Sequence, residues 1–309
     1  VSPATTVVLA SFGGPERVDD VRSFLVRLFS DRRILPFPGR GLVARLIARR
    51  RAPKVAWKYE RMGGGSPVVP TTRAQVAALQ AELARRGRDV GVLAGYLYSL
   101  PLVRDVVRQA AGQGAVLVVP LFPQRSFAGL GSIQDQVAGQ GARVIEDYPT
   151  HPGFVGFHAR RLREAVSSLD RRGLRVLFAA HSVPVAYLKK GDPYVERVRA
   201  GVEAVTAAAG VDPARVTLAF QSRVGPVEWV GPTPEEAVAA LPPDTRSLVV
   251  VPLSFVAENL ETLIDLDVEL AEHVRATRPD VTFVRTRAPG ADDDFVAFLA
   301  DLVEEHLDA

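Results

Sequence analysis

An α/β architecture of two related domains, each with a parallel sheet and meeting at a cleft lined by strand ends, is what this 309-residue chain predicts. Three observations carry that expectation. Short apolar runs alternate with amphipathic helical stretches along the whole length, which is the signature of strand–helix–strand units. The runs are continuously apolar, as strands covered on both faces must be. Strand-end segments also recur: VLASFGGP (8–15) resembles LFAAHSVP (177–184), and VVPLF (118–122) resembles VVPLS (250–254). The expected domains are 1–149 and 150–309, with the seam near 149–153 and the closing helix free to cross back to the first domain.

The first half opens with a strand at 7–10, a small-residue loop Ser11-Phe12-Gly13-Gly14-Pro15, and a helix over 16–29. A break at Pro36 and Pro38 precedes GRGLVARLIARRR (39–51), a short basic amphipathic segment. It suits a core-packed helix with a solvated basic face, a membrane surface, or the edge of an apolar pocket. Lys58, Tyr59 and Glu60 lead into Gly63-Gly64-Gly65-Ser66-Pro67, where three glycines demand positive φ or close approach of a ligand to the backbone. Their spacing matches no nucleotide-binding fingerprint. A helix follows at 70–86, then a strand at 90–97, a helix at 101–112, a strand at 115–119, a helix at 132–139 and a brief strand at 143–145.

The second half repeats the rhythm: helix 153–170, strand 174–180 ending at His181, helix 195–209, and strand 216–220 ending in Gln221-Ser222-Arg223. A helix at 234–241 leads into VVVPLSFVAENLETLIDLDVELAE (249–272). That stretch predicts a buried strand followed by a helix from Asn259, with Leu260, Leu263, Ile264, Val268 and Ala271 as its apolar positions. Glu258, Glu261, Asp265, Glu269 and Glu272 recur every three or four residues, which places five carboxylates in one row. A strand at 281–284 and a helix at 292–306 close the chain.

Composition excludes several classes. The chain has no cysteine, which rules out disulfides, thiolate zinc sites, a cysteine-held iron–sulfur cluster and a cysteine nucleophile. No run approaches the ~18 apolar residues of a membrane span, and the N-terminal stretch lacks the features of a signal peptide. Net charge is +3 with few aromatics and scattered basic residues, which gives no case for nucleic acid. A cytoplasmic location is expected, with peripheral contact to a membrane as an option through 39–51. A monomer is expected.

Among five histidines, His181 is the candidate for chemistry, because it ends an apolar strand where open α/β sheets place ligands. Its neutral imidazole can take a proton or bind a metal. His151, His158, His273 and His306 read as surface or helix-face residues, and no HExxH or clustered spacing supports a zinc site. Serine hydrolysis is disfavoured by the missing GxSxG turn. A row of hard oxygen ligands starting where a strand meets a helix suits a hydrated divalent cation.

Six segments then share one resemblance: LASFGGPERVDDVRSFLVRLFSD, YERMGGGSPVVPTT, VVPLFPQRS, AHSVPVAYLKKGDPY, FQSRVGPVEWVGP and VPLSFVAENLETLIDLDVE. In order, over residues 9–269, they resemble the signature segments of ferrochelatases. The resemblance implies two Rossmann-like domains of the class II chelatase kind and insertion of ferrous iron into a porphyrin, coproporphyrin III or protoporphyrin IX, in haem biosynthesis. It implies a lyase with iron as substrate and no tightly bound cofactor; the missing cysteines exclude the iron–sulfur cluster that some members carry. His181 matches the histidine of the family's HS-x-P loop, Glu261 its essential glutamate, and Asp265 and Glu269 the acidic row beyond it. These four are the expected metal ligands, with His181 and Glu261 catalytic and facing each other across the ring centre. Phe12, Phe127 and Trp229 are expected walls for the ring. Arg32, Arg33, Lys58, Tyr59 and Ser66 are expected partners for its propionates. Phe12 stands where some members carry a tyrosine, and AGYLYSLP (94–101) lacks the Arg and His often found there. Two other readings are a cobalt or nickel chelatase of another tetrapyrrole, whose relatives usually pair histidines, and a non-catalytic two-lobed tetrapyrrole carrier.

Overall fold

The computed structural model describes residues 5–223 and 225–307; Val224, inside the FQSRVGPVEW segment, and the chain ends lie outside them. The chain divides into two compact units, one formed up to Asp147 together with the segment from Gly290 on, the other from Tyr148 to Pro289.

The first unit holds β1 (Thr5–Ser11), α1 (Val21–Ser30), α2 (Arg40–Arg61), α3 (Val68–Arg85), β2 (Val90–Tyr96), α4 (Val103–Ala111), β3 (Ala115–Pro120), α5 (Leu130–Val137) and β4 (Arg143–Val144). Its four strands are parallel in the order β2-β1-β3-β4. Val7, Val8, Leu9 and Ala10 of β1 are wholly buried, so the strand has no wet face and could not have shown an alternating pattern.

The second unit holds α6 (Pro152–Ser167), β5 (Leu174–His181), α7 (Val185–Leu188), α8 (Tyr194–Ala209), β6 (Val216–Gln221), α9 (Pro234–Ala239), β7 (Ser247–Val251), a π-helix (Glu261–Leu270), α10 (Ala271–Thr277) and β8 (Thr282–Arg285). Its sheet is again parallel, in the order β6-β5-β7-β8. The two sheets therefore share one topology, and the matched segments sit on equivalent strands: VLASFGGP runs off β1 as LFAAHSVP runs off β5. Phe12 and His181 occupy the same place in that match.

The final helix, α11 (Asp293–Leu307), belongs to the first unit. Arg86 of the α3 C-cap donates to Asp301 at 2.6 Å and Glu304 at 2.8 Å, and Arg88 also reaches Glu304. Gln75, wholly buried on α3, donates to the Gly290 carbonyl at 2.8 Å.

Three local expectations are corrected. The basic segment 39–51 is the first half of a 22-residue helix, α2, which runs on through Pro53. Proline removes a helix hydrogen bond, but Pro53 faces solvent, so water can satisfy the carbonyl it leaves. His158 is no surface residue: it is 1 % exposed on α6 against Phe154 and Phe157, and burial pushes its pKa down to about 3. The helix after Asn259 is a π-helix for ten residues before it becomes α10.

That last difference changes which residues are buried. A π-helix bonds i to i+5 and takes more residues per turn than an α-helix. The buried line is therefore Thr262, Leu266, Leu270 and Val274, at strict intervals of four, with Ile264 beside it. Of the expected apolar positions, Leu260, Leu263, Val268 and Ala271 are only half-buried. Leu266, Leu270 and Val274 pack with Leu177, Ala179, Leu248 and Val250 of β5 and β7, so the sheet face holds the π-helix over the strand ends.

Candidate active site

In an open parallel sheet, ligands settle outside the strand C-termini where the strand order reverses. In the second unit that point lies between β5 and β7. His181 is the last residue of β5, and Glu261 is the first residue of the π-helix that follows β7.

Their side chains meet there, with His181 Nε2 4.0 Å from Glu261 Oε1. Both are partly open, 43 % and 27 % exposed. His181 Nδ1 lies 2.6 Å from the Ser182 carbonyl oxygen. A carbonyl can only accept, so Nδ1 carries a proton and fixes the ring with Nε2 toward Glu261. The surrounding loops are stitched together by backbone. Ser182 N donates to the Gln221 carbonyl, Ser182 Oγ to the Val230 carbonyl, Val185 N to the Glu228 carbonyl, and Val230 N to the Val183 carbonyl. Half-buried Trp229 is thereby carried beside the loop that begins at His181.

The pair does not straddle a ring as expected. Carbon atoms need about 3.5 Å of clearance on each face of a flat macrocycle, and 4.0 Å between the two groups leaves no room for one. Groups this close would both stand on one face of a flat ligand placed at this point.

The π-helix start is capped reciprocally. Asn259 N donates to Thr262 Oγ1 at 2.9 Å, and Thr262 N donates to Asn259 Oδ1 at 3.0 Å. Gln221 Nε2 reaches the Glu261 carbonyl at 3.3 Å. Gln221 Oε1 and Ser222 Oγ are buried without a protein partner, and Ser222 holds φ at +70°, an uncommon value for a residue with a Cβ.

The row of acids is thinner than its spacing implied. Asp265 is half-buried, and Glu269 and Glu272 are exposed further along. Glu258 turns away from the row to Arg285, with Nη1 to Oε1 at 3.0 Å. Among the described residues, no three His, Asp or Glu side chains gather closely enough to hold a metal ion. Arg285, which also pairs with Asp267, was missed in the sequence because neither spacing nor composition links it to the helix.

The other candidates lie in the first unit. Half-buried Phe12 sits edge-on to Tyr98 at 4.7 Å, to Phe24 at 6.1 Å and to Phe122 at 6.3 Å. Phe127 is half-buried in the loop between β3 and α5. Arg32 and Arg33 both grip Asp135, at 2.5–2.8 Å and 2.7–2.9 Å, and these bonds hold the Asp135 carboxyl well below the usual carboxylate range. A propionate at either arginine therefore competes with an existing carboxylate. Lys58 is half-buried; Tyr59 is 7 % exposed on the inner side of α2. Ser66 is 5 % exposed, and its N–H donates to the Pro15 carbonyl at 2.7 Å. Ser66 thus joins the triple glycine to the loop after β1, while the Tyr59 carbonyl accepts from Gly64 N at 2.9 Å.

Two parallel four-stranded sheets of one topology, wrapped by helices, define the class of this protein as α/β. The fold is that of the class II chelatases. It is similar to CbiX, described as the terminal enzyme for biosynthesis of siroheme in denitrifying bacteria (TM-score 0.55, 14 % identity, 97 % of this chain and 98 % of that one). It is equally similar to the sirohydrochlorin chelatase SirB from Bacillus subtilis (TM-score 0.55, 13 % identity, 97 % and 94 %). The profile of the ferrochelatase family matches residues 4–307. Ferrochelatases from Gloeobacter violaceus (35 % identity, 97 % of each chain) and Synechococcus sp. strain JA-3-3Ab (39 %, 97 % and 93 %) resemble it over nearly their whole length. The chain belongs to the ferrochelatase family.

Proposed function

We propose that this protein is a lyase-type ferrochelatase, inserting ferrous iron into a porphyrin for haem synthesis, with His181 and Glu261 as the reacting groups. The observation that carries this reading is the 4.0 Å approach of an imidazole nitrogen to a carboxylate oxygen at the sheet's switch point. The reaction removes two pyrrole protons and places one dication in the ring. An imidazole nitrogen and a carboxylate are both bases, and Nε2 and the Glu261 carboxylate stand at the same spot, so either can accept a pyrrole proton. Metal–nitrogen and metal–oxygen bonds run to about 2.0–2.2 Å for zinc and are similar in related ions. Two ligand atoms 4.0 Å apart can thus grip one cation with little movement. Asp265 and Glu269 continue outward from half-buried to exposed, a graded set of oxygens for a hydrated ion shedding water. No resident cofactor is needed. The mixed histidine–carboxylate set favours iron over the paired-histidine cobalt and nickel chemistry, and a carrier would have no use for it.

The test is anaerobic mixing of the purified protein with ferrous iron and either coproporphyrin III or protoporphyrin IX. The free-base absorbance bands should collapse to the metallated spectrum at a catalysed rate with one of the two. A rate no faster than the protein-free control with both would end the proposal. Retained free-base bands with tight porphyrin binding would point to the carrier.

A second reading concerns α2. Leu42, Leu46, Pro53 and Trp57 fall at i, i+4, i+11 and i+15, one stripe of the helix. Leu42 is 73 % exposed, Leu46 50 % and Trp57 52 %. Exposed Arg45 and Arg49 flank the stripe on one side and Arg50 and Lys54 on the other. We infer that this face rests on an anionic lipid surface, where apolar side chains enter and flanking cations meet headgroups. Among the described residues no helix is long and apolar enough to cross a membrane, so the contact is peripheral. The protein should sediment with vesicles containing phosphatidylglycerol, less so at high salt, and not with pure phosphatidylcholine. Replacing Leu42, Leu46 and Trp57 by Ser should release it. Absence of binding to anionic vesicles at low salt would rule the surface out.

A further inference from the structure

The π-helix is rare and mostly confined to single turns, and one residue ties this ten-residue example to its surroundings at two carboxylates. Arg285, the last residue of β8, has a side chain only 6 % exposed. Its Nε and Nη2 donate to the two oxygens of Asp267 at 2.5 Å each. Its Nη1 donates to Glu258 Oε1 and to the Thr286 carbonyl, both at 3.0 Å. Glu258 Oε1 also accepts from Ala288 N at 2.9 Å. One guanidinium therefore ties the edge strand β8 to a carboxylate just ahead of the π-helix and to another within it. The fork geometry matters, since a bidentate carboxylate fixes both distance and direction.

The choice between π and α decides where Glu261 points. Each residue turns about 100° in an α-helix and roughly 80° in a π-helix. Over the six steps from Glu261 to Asp267 the two forms diverge by roughly 120°. If the segment relaxed to α while Asp267 stayed on Arg285, Glu261 would swing away from His181. We propose that Arg285 is a positioning residue: by holding Glu258 and Asp267 together it selects the π form, and so keeps the Glu261 carboxylate beside His181. The role in turnover rests on the reading of His181 and Glu261 as the reacting pair. The role in helix selection does not.

Three variants test it: Arg285→Met, Arg285→Lys and Asp267→Asn. Misplacing a reacting group by about 1 Å can cost up to about a hundredfold in rate. Arg285→Met should accordingly lower kcat by about tenfold or more, with the porphyrin KM within about twofold of wild type. Arg285→Lys should recover part of kcat, since an ammonium can hold one carboxylate but not fork across two. Amide hydrogen exchange over 261–270, measured without substrate, should speed up in Arg285→Met and Asp267→Asn. If Arg285→Met does not fold, Asp267→Asn decides, because Asp267 is the more open partner at 36 % exposed. Unchanged exchange together with unchanged kcat in Asp267→Asn would overturn the proposal. Faster exchange in a protein whose wild type fails the iron-insertion assay would retire the reaction and leave the helix-selecting role standing.

Discussion

Glu261→Gln is expected to lower the turnover of iron insertion by about a hundredfold to ten-thousandfold, the range for loss of a positioned proton-transfer group. The substitution keeps size and removes charge and basicity. It also leaves the Gln221 contact alone, because that bond goes to the main-chain oxygen of residue 261. The π-helix start should stand, since its cap is made by Asn259 and Thr262. His181→Ala should cost a similar factor. Its backbone continues the β5 ladder opposite Gln221, and only the imidazole is lost. Because the two groups act on one spot, the double variant should be little worse than either single one, as for residues that work as a unit. Porphyrin binding, read by absorbance or fluorescence titration without metal, should change by no more than a few-fold. Initial rates under anaerobic conditions are the measurement, and a double variant with wild-type turnover would end the assignment.

Gly65→Ala should be the most damaging conservative change in the first unit. A Cβ there would stand 2.1 Å from the Glu16 carbonyl oxygen and 2.6 Å from its carbon, with the Pro15 carbonyl at 3.2 Å. These are backbone atoms and cannot swing aside like a flexible side chain. The neighbouring Ser66 N–H bond to the Pro15 carbonyl locks the two segments at 2.7 Å. Overpacking of this kind costs on the order of 3 kcal/mol, which lowers the thermal midpoint by roughly 5–10 °C. Gly63 and Gly64 need glycine for a different reason, φ of +97° and +102° with open space around them, and alanine there should cost about 1 kcal/mol each. Gly156 is the control: it is exposed on α6 with nothing near its missing Cβ, and alanine should stabilise by a few tenths to about 1 kcal/mol. Thermal and denaturant unfolding of the three classes checks the ranking. A Gly65→Ala protein that melts with wild type would show that the two segments can part freely.

Much of the fold could be read from neighbours along the chain. Strands buried on both faces appear as unbroken apolar runs, so β1, β5 and β7 were visible wherever Val, Leu and Ala cluster. The loops after them were visible from Gly, Pro and Ser. His181 and Glu261 could be chosen because a residue at the C-terminal end of a parallel strand faces the ligand side by construction. The triple glycine announced positive φ, which holds at Gly63 and Gly64, but the close neighbour of Gly65 is the chain's own backbone at Pro15 and Glu16, where a ligand was the expected one.

What stayed hidden involved partners far apart in sequence. Arg32 and Arg33 looked like free cations, yet each meets Asp135 more than a hundred residues later. Glu258 looked like the head of a row of oxygen ligands, yet it binds Arg285. His158 looked like a surface residue, yet two phenylalanines of its own helix close over it. By itself the sequence determined the β–α order, the apolar faces and the residue types at the strand ends, because periodicity and turn chemistry act over a few neighbouring residues. Only the tertiary structure decided the π form of 261–270, the same-side approach of His181 and Glu261, and the ion pairs. Those depend on distances between segments that chain separation does not encode.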